Sequence, residues 1–197
     1  MTEQVEKMLI VDMIGSERIA RDGGHWDEMA SYWHPESTVE VSWFQGSGSQ
    51  FIEQTKKTIR PDSINFHQLS PATVTLNGTR AIVDMPCVLQ NFSQLDGIDV
   101  NQAGHVHLLW RAARSTGDQW LIAGLRVYYV RDSLIACNPG QVLTLDDTKL
   151  AGYRLSYRYL SYVLDFLGNA VRDDLPGIDR PETVETLYAS ERQWLGA

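Results

Sequence analysis

The segment ARDGGHWDEMASYWHPESTVEVSW, Ala20 to Trp43, decides how the chain folds. Gly23 and Gly24 interrupt a helical pattern, because glycine takes the left-handed conformation that closes a helix. Beyond the break, Trp26, Met29, Ala30 and Trp33 recur at the i, i+3, i+4, i+7 spacing of a helix with one buried face. Asp27 and Glu28 fall in its first turn, where the helix dipole favours negative charge. Pro35 is expected to end this second helix, and Val39, Val41 and Trp43 alternate as a half-buried strand. Asp22 stands at the mouth of the break, and the sheet is expected to wrap around whatever it points into.

On the N-terminal side, Glu3 to Arg21 reads as a helix with Val5, Met8, Leu9 and Ile19 inward and Gly15-Ser16 as a weak point. On the C-terminal side, Ser47 and Ser49 are alternative caps for a third helix, Gln50 to Ile59, which buries Phe51, Ile52 and Ile59 and ends at Pro61-Asp62. From Ser63 the period changes from helix to strand. INFHQLSPATVTL and TRAIVDMPCVLQNF flank Asn77-Gly78, a strong hairpin signal. Ser93 to Asn101 is expected to be a loop, followed by strands over Gly104 to Ala113 and Gln119 to Val130. The sum is an α+β domain: three N-terminal helices on a curved antiparallel sheet of roughly five strands.

The chain of 197 residues is long enough for one full core. A net charge of −8 without a basic run argues against nucleic acid or an anionic membrane as partner. The apolar runs are too short to span a bilayer, and MTEQVEKM is unlike a signal peptide. Cys87 and Cys137 show no metal-binding spacing, so a reduced, cytoplasmic protein is expected.

The order helix, helix, strand, helix, meander resembles the cone-shaped α+β fold of the nuclear transport factor 2 (NTF2)-like superfamily, in its SnoaL-like (polyketide cyclase) branch. IVDMIGSERIARDGGHWDEMASYW resembles that branch's first two helices, HQLSPATVTLNGTRAIV its long strand opened by a His, and RSTGDQWLIAGLRV its last hairpin. The resemblance covers residues 5 to 132 and defines an expected domain 1–132. Residues 133–197 lie outside it and read as a helical C-terminal extension packing on the cone or on a partner subunit. In that extension, Asp132 to Asp146 is expected to be loop and Thr148 to Leu167 one helix with Gly168 as cap. A linker leads to a last helix from Pro181 to about Leu195.

In scytalone dehydratase and hexachlorocyclohexane dehydrochlorinase, two relatives in this branch, an Asp and a His form a dyad in the cone. By motif position Asp22 falls on that Asp and His67 on that His. Neutral imidazole accepts a proton near neutral pH, and a buried carboxylate fixes its tautomer. The plain alternative is a loop Asp and a polar strand His. His105 and His107 share one strand face by the period of two. The resemblance makes one of them a candidate second catalytic His. A metal reading of HxH is disfavoured, since the Glu that cupins place downstream is missing from LLWRAARST.

Arg126 and Arg111 are candidate anion or carbonyl partners, with Leu125 at the spacing where relatives carry a basic residue, so that Arg126 faces inward only if a bulge intervenes. Asn65, Trp43 and Tyr128, with Trp110 and Tyr129, are candidate walls of a pocket; aromatics at strand spacing are also ordinary core. Cys87 reads as a small buried hydrophobe. Two functional classes follow. One is a cofactor-independent, metal-independent lyase or isomerase acting on a small hydrophobic cyclic molecule. The other is a non-catalytic small-molecule-binding or dimerisation module. The resemblance also implies a homodimer joined through the outer face of the sheet.

Overall fold

The computed structural model describes residues 2–58 and 64–196. Helix α1 (Glu3–Asp22) leads through a tight break into α2 (Trp26–Ser31), β1 (Trp33–Val41), β2 (Phe44–Ser47) and α3 (Gly48–Thr58). The strands β3 (Ile64–Leu69), β4 (Thr73–Asn77), β5 (Arg80–Leu95), β6 (Ile98–Arg114) and β7 (Trp120–Ala136) complete one sheet. Its order is β2-β1-β7-β6-β5-β3, with β4 also on β5. All pairings are antiparallel except β1 on β7. The α+β cone is therefore present, with a mixed sheet of seven strands where roughly five antiparallel ones were expected.

The break after α1 closes with the His25 N–H on the Ala20 carbonyl and with Gly24 at φ +72°, a conformation that glycine adopts without strain. Two boundaries in this region differ from expectation. Trp33 opens β1 and does not end α2, and Pro35 lies within that strand. Trp33 instead packs on Trp110 and Phe51, and its indole N–H donates to Glu17, so tertiary contacts override the helical spacing. Trp43 sits in the turn after β1. For α3, Ser47 is the cap: its hydroxyl accepts the Gln50 N–H while the Gln50 side chain accepts the Ser47 N–H, a reciprocal capping box. Phe51 and Ile52 are buried on this helix; Ile59, Pro61 and Asp62 fall outside the described residues.

The inner stripe of α1 is also different. Met8 and Ile19 are 64% and 76% exposed, and Val5 and Leu9 lie out with them. The buried face is Ile10, Met13, Ile14, Glu17, Arg18 and Arg21, polar in its second half. Its burial is possible because each charge has a partner, as described below.

The segment expected to be a loop, Ser93 to Asn101, is a two-residue hairpin at Asp96-Gly97, both with positive φ, so β5 and β6 run long. β7 likewise continues to Ala136. Along β6, Val106, Leu108, Trp110 and Ala112 face the concave core, while His105, His107, Leu109 and Arg111 alternate to the outer face. Two register shifts break this alternation on β7, one opposite Arg111/Ala112 and one opposite His105/Val106.

The region expected to be one helix over Thr148 to Leu167 is three pieces: α4 (Asp147–Gly152), a 3-10 turn (Leu155–Tyr157) and α5 (Arg158–Phe166). Arg154 explains the interruption. Its buried guanidinium donates to the carbonyls of Asp173 and Leu175, to Tyr157 and to Asp179, which pulls the chain out of helix to meet them. Helix α6 (Pro181–Leu195) starts with proline in its first turn and lies on the outer face of the sheet. There Leu187 is buried with Leu109 and Tyr128, and Glu191 accepts from Arg111 and Arg126. The outer sheet face expected to join two protomers is thus covered, in part, by the chain's own last helix. No described helix is long and apolar enough to cross a membrane.

Candidate active site

Asp22 is the last residue of α1, where the helix dipole disfavours a carboxylate. Specific donors offset that. Asp22 Oδ2 accepts the backbone N–H of His67 at 2.8 Å, and Oδ1 lies 2.8 Å from His67 Nδ1 and accepts from Arg21 Nη1 at 2.9 Å. His67 is on β3, whose inward residues are Asn65, His67 and Leu69 by the alternation of the strand. One carboxylate therefore holds both the strand backbone and the imidazole. With Nδ1–H donated to Asp22, the neutral ring presents its lone pair at Nε2.

Burial is the main force on the imidazole: with help from Arg21 and Arg18 it pushes the His67 pKa down to about 3, against the opposing pull of Asp22. For Asp22 burial works upward, but the bonds and charge of His67, with Arg21, win and bring it down to about 2. The pair is thus a carboxylate and a neutral imidazole.

A second buried group sits behind it. Arg18 Nε and Nη2 donate to the two oxygens of Glu17 at 2.5 and 2.6 Å, Trp33 Nε1 donates to Glu17 Oε1 at 2.9 Å, and Arg18 Nη1 stands 3.5 Å from His67 Nε2. The Arg18 guanidinium also lies over the Trp110 ring. Neither Glu17 nor Arg18 was singled out from the sequence. The signal was there as charges at 17, 18, 21 and 22, one helical turn apart and continuing the apolar stripe of Ile10, Met13 and Ile14.

His67 and Asn65 line a cavity of about 560 Å³ inside the concave sheet, within the size range of small-molecule sites. Its apolar walls include Leu89, Val106 and Tyr129 from the sheet and Leu160, Val163 and Leu164 from α5. Arg21, which bonds Asp22, and Trp43 also line it. Cys87, on the same sheet face, is buried, and burial pushes its thiol up to about 12, so it remains protonated. Trp110 is core.

The remaining candidates are elsewhere. His105 is exposed on the outer face. His107 is on that face too, with Nδ1 2.6 Å from Asp84 Oδ1, stacked on Tyr128 beneath Tyr188 of α6. Tyr128 and Arg126 share that face, where Arg126 pairs with Glu40 and Glu191. A bulge does intervene, with Ala123 as its extra residue, but it turns Leu125 into the core beside Ile122 and leaves Arg126 on the outer face.

A SnoaL-like domain model matches residues 13–126. The chain belongs to the SnoaL-like domain family. A PEP2-like protein of Fusarium vanettenii is 26% identical over 185 residues, covering 89% of this chain and 79% of that protein. Among solved structures, the hexachlorocyclohexane dehydrochlorinase LinA-type3 of Novosphingobium barchaimii LL02 superposes with a TM-score of 0.58 at 11% identity, over 72% of this chain and 97% of its own. A protein of Novosphingobium aromaticivorans DSM 12444, provisionally named a scytalone dehydratase, gives a TM-score of 0.53 at 16% identity, over 71% and 97%. At these identities the structural likenesses establish the NTF2-like fold.

Proposed function

We propose that this SnoaL-like chain is a cofactor-independent lyase or isomerase that removes a proton from carbon in a small, hydrophobic, cyclic substrate. The observation that carries the reading is the Asp22–His67 pair at the wall of a cavity of mixed polar and apolar lining. Asp22 holds Nδ1–H, so Nε2 is the acceptor, and Asp22 offsets part of the burial and arginine charge that otherwise oppose the imidazolium. The C–H bond breaks toward Nε2, and its electron pair moves into an adjacent carbonyl or expels a leaving group on the next carbon. Arg21, in the same wall, supplies a cation near the developing negative charge.

The test is deuterium exchange from heavy water into the α-carbon of β-tetralone, a bicyclic ketone, followed by proton NMR. The wild type should accelerate exchange. Asp22→Asn and His67→Gln should each lower it by about a hundredfold or more, with the double variant no worse, as for groups acting as one unit. Exchange unchanged in both variants would remove the pair from the chemistry.

A second reading, a binding module without turnover, is favoured by one contact. Arg18 Nη1 faces the Nε2 lone pair, which a substrate proton would have to reach. Arg18→Met separates the two, since it should raise exchange if Arg18 blocks the base. The free cysteines Cys87 and Cys137 suit a reducing cytoplasm. A homodimer, as in the family's usual assembly, would use a surface other than the part of the outer sheet under α6.

A further inference from the structure

The cavity has a second polar end, at Asp132. Its position follows from strand register. His67 pairs with Leu89, Leu89 with Gly104, and Gly104 with Asp132, so the four stand in one row across β3, β5, β6 and β7. Three strand spacings put the ends of that row about 14 Å apart along the sheet. The two middle positions offer an apolar side chain and none, leaving a smooth floor between the polar ends.

Asp132 faces inward only because of the register shift beside Val130. Val106 pairs with Tyr129 and His105 with Arg131, so Val130 is the extra residue of a bulge. Tyr129 and Asp132, three apart, thereby both line the cavity, where simple alternation would turn one of them away.

Asp132 is 5% exposed and its carboxyl is half-satisfied. Its Oδ2 accepts the Leu160 N–H at 2.7 Å and the Gln102 amide at 3.4 Å, while Asn91 in turn donates to Gln102 at 2.7 Å. Oδ1 is buried with no hydrogen-bond partner among the described residues. The Leu160 bond serves the fold, because α5 has no capping side chain of its own and Asp132 caps it from the sheet. That role accounts for one oxygen only. An acceptor left empty in a buried carboxyl is costly unless something fills it.

We propose that Asp132 is a ligand-binding residue whose free Oδ1 accepts a hydrogen bond from a hydroxyl group of a ring-shaped ligand, making hydroxylated aromatic or alicyclic compounds the substrate class of this cavity. This rests on the cavity being the functional site and assigns its far end. The group at that end must be a donor, since the donors of Gln102 and Leu160 already point at the other oxygen and fix which one is left. Burial also raises the Asp132 pKa to about 6. The groups facing it are Gln102 from β6, the backbone N–H groups of Tyr159 and Leu160 from α5, and Arg131 on its own strand.

The experiment compares β-naphthol with its methyl ether, which keeps the acceptor and loses the donor. Binding to the full chain is read by tryptophan fluorescence at about pH 8, where Asp132 is ionised. The wild type should bind the naphthol about tenfold more tightly than the ether. In Asp132→Asn, the Leu160 N–H retains the amide oxygen, so the amide NH2 turns to the ligand and the preference should vanish or reverse. His67→Gln should keep it. Equal binding of both probes by the wild type, or of neither, overturns the proposal. So does a preference that survives Asp132→Asn or disappears in His67→Gln, the latter placing the hydroxyl at the other end. None of these outcomes depends on deuterium exchange, so failure here leaves the proton-abstraction reading standing, and the converse holds.

Discussion

Replacing His67 by glutamine should change how stability depends on pH, by an amount the structure fixes. In the fold, burial holds the His67 pKa at about 3, against 6.5 for an ordinary imidazole. Below pH 6.5 the unfolded chain therefore binds a proton that the folded chain refuses, and the wild type loses stability as pH falls toward 3. Between about pH 8 and about pH 5 the loss from this one group is about 2 kcal/mol. Because pH 5 lies well above the folded value, that figure depends almost wholly on the unfolded one. Asp22, lowered to about 2, stabilises the fold above 3.8 and loses its contribution only below that, outside the window. Asp132, raised to about 6, has the opposite slope: its cost to the fold grows as pH rises from 3.8 to 6. That slope is common to wild type and variant and cancels in their difference. Urea denaturation at the two pH values should thus find the wild type minus His67→Gln difference moving by about 2 kcal/mol against the wild type at the acid end. Parallel pH profiles for the two proteins would mean that His67 titrates as an exposed imidazole, and the account of a desolvated pair would fail.

Two further outcomes follow from buried charges. Glu17→Ala leaves Arg18 buried without its carboxylate and should cost about 3–5 kcal/mol in urea denaturation, whereas an exposed pair would cost under about 1 kcal/mol. Glu191→Ala removes the acceptor that joins α6 to Arg111 and Arg126 and should lower the melting temperature while raising binding of an apolar dye as the Leu109–Tyr128–Leu187 cluster opens; an unchanged dye signal would mean that the apolar contacts alone hold the helix.

Much of the fold was legible because local signals agreed with tertiary ones. The glycine break, the Ser47–Gln50 cap, the Asn77-Gly78 hairpin and the proline-started last helix each have a backbone reason that holds in any context. The errors fell where tertiary contacts decide. Trp33 matches a helical stripe, yet its indole has a buried carboxylate to satisfy on α1 and its ring has two aromatic partners, so the chain turns to strand. Asp96-Gly97 is itself a hairpin signal, obscured by polar neighbours that are long-strand residues at the open rim. The interruption at Arg154 depends on carbonyls about twenty residues later, which no local window contains.

The site divides along the same line. Asp22 and His67 could be singled out because the glycine break fixes a carboxylate at a helix end, strand alternation gives the His one face, and both fall at the motif positions of the dyad in the relatives the sequence resembles. On α1 an apolar stripe alone does not mark the inner face. Its second half is Glu17, Arg18 and Arg21, and a face that turns polar while still buried marks charges held for a purpose or for each other. His105 and His107 share a face as spacing requires, and the apolar run Val106, Leu108, Trp110 between and beyond them already favours the core for the other parity. Asp132 is the opposite case. Counted from Tyr129, its parity places it outside, and only the extra residue at Val130 brings it in. A bulge shows in register, not in composition. Asp132 is therefore a residue that alternation alone would turn outward and that the sequence places in a loop, while three of the pocket candidates from β6 and β7, His107, Arg126 and Tyr128, hold α6 in place instead.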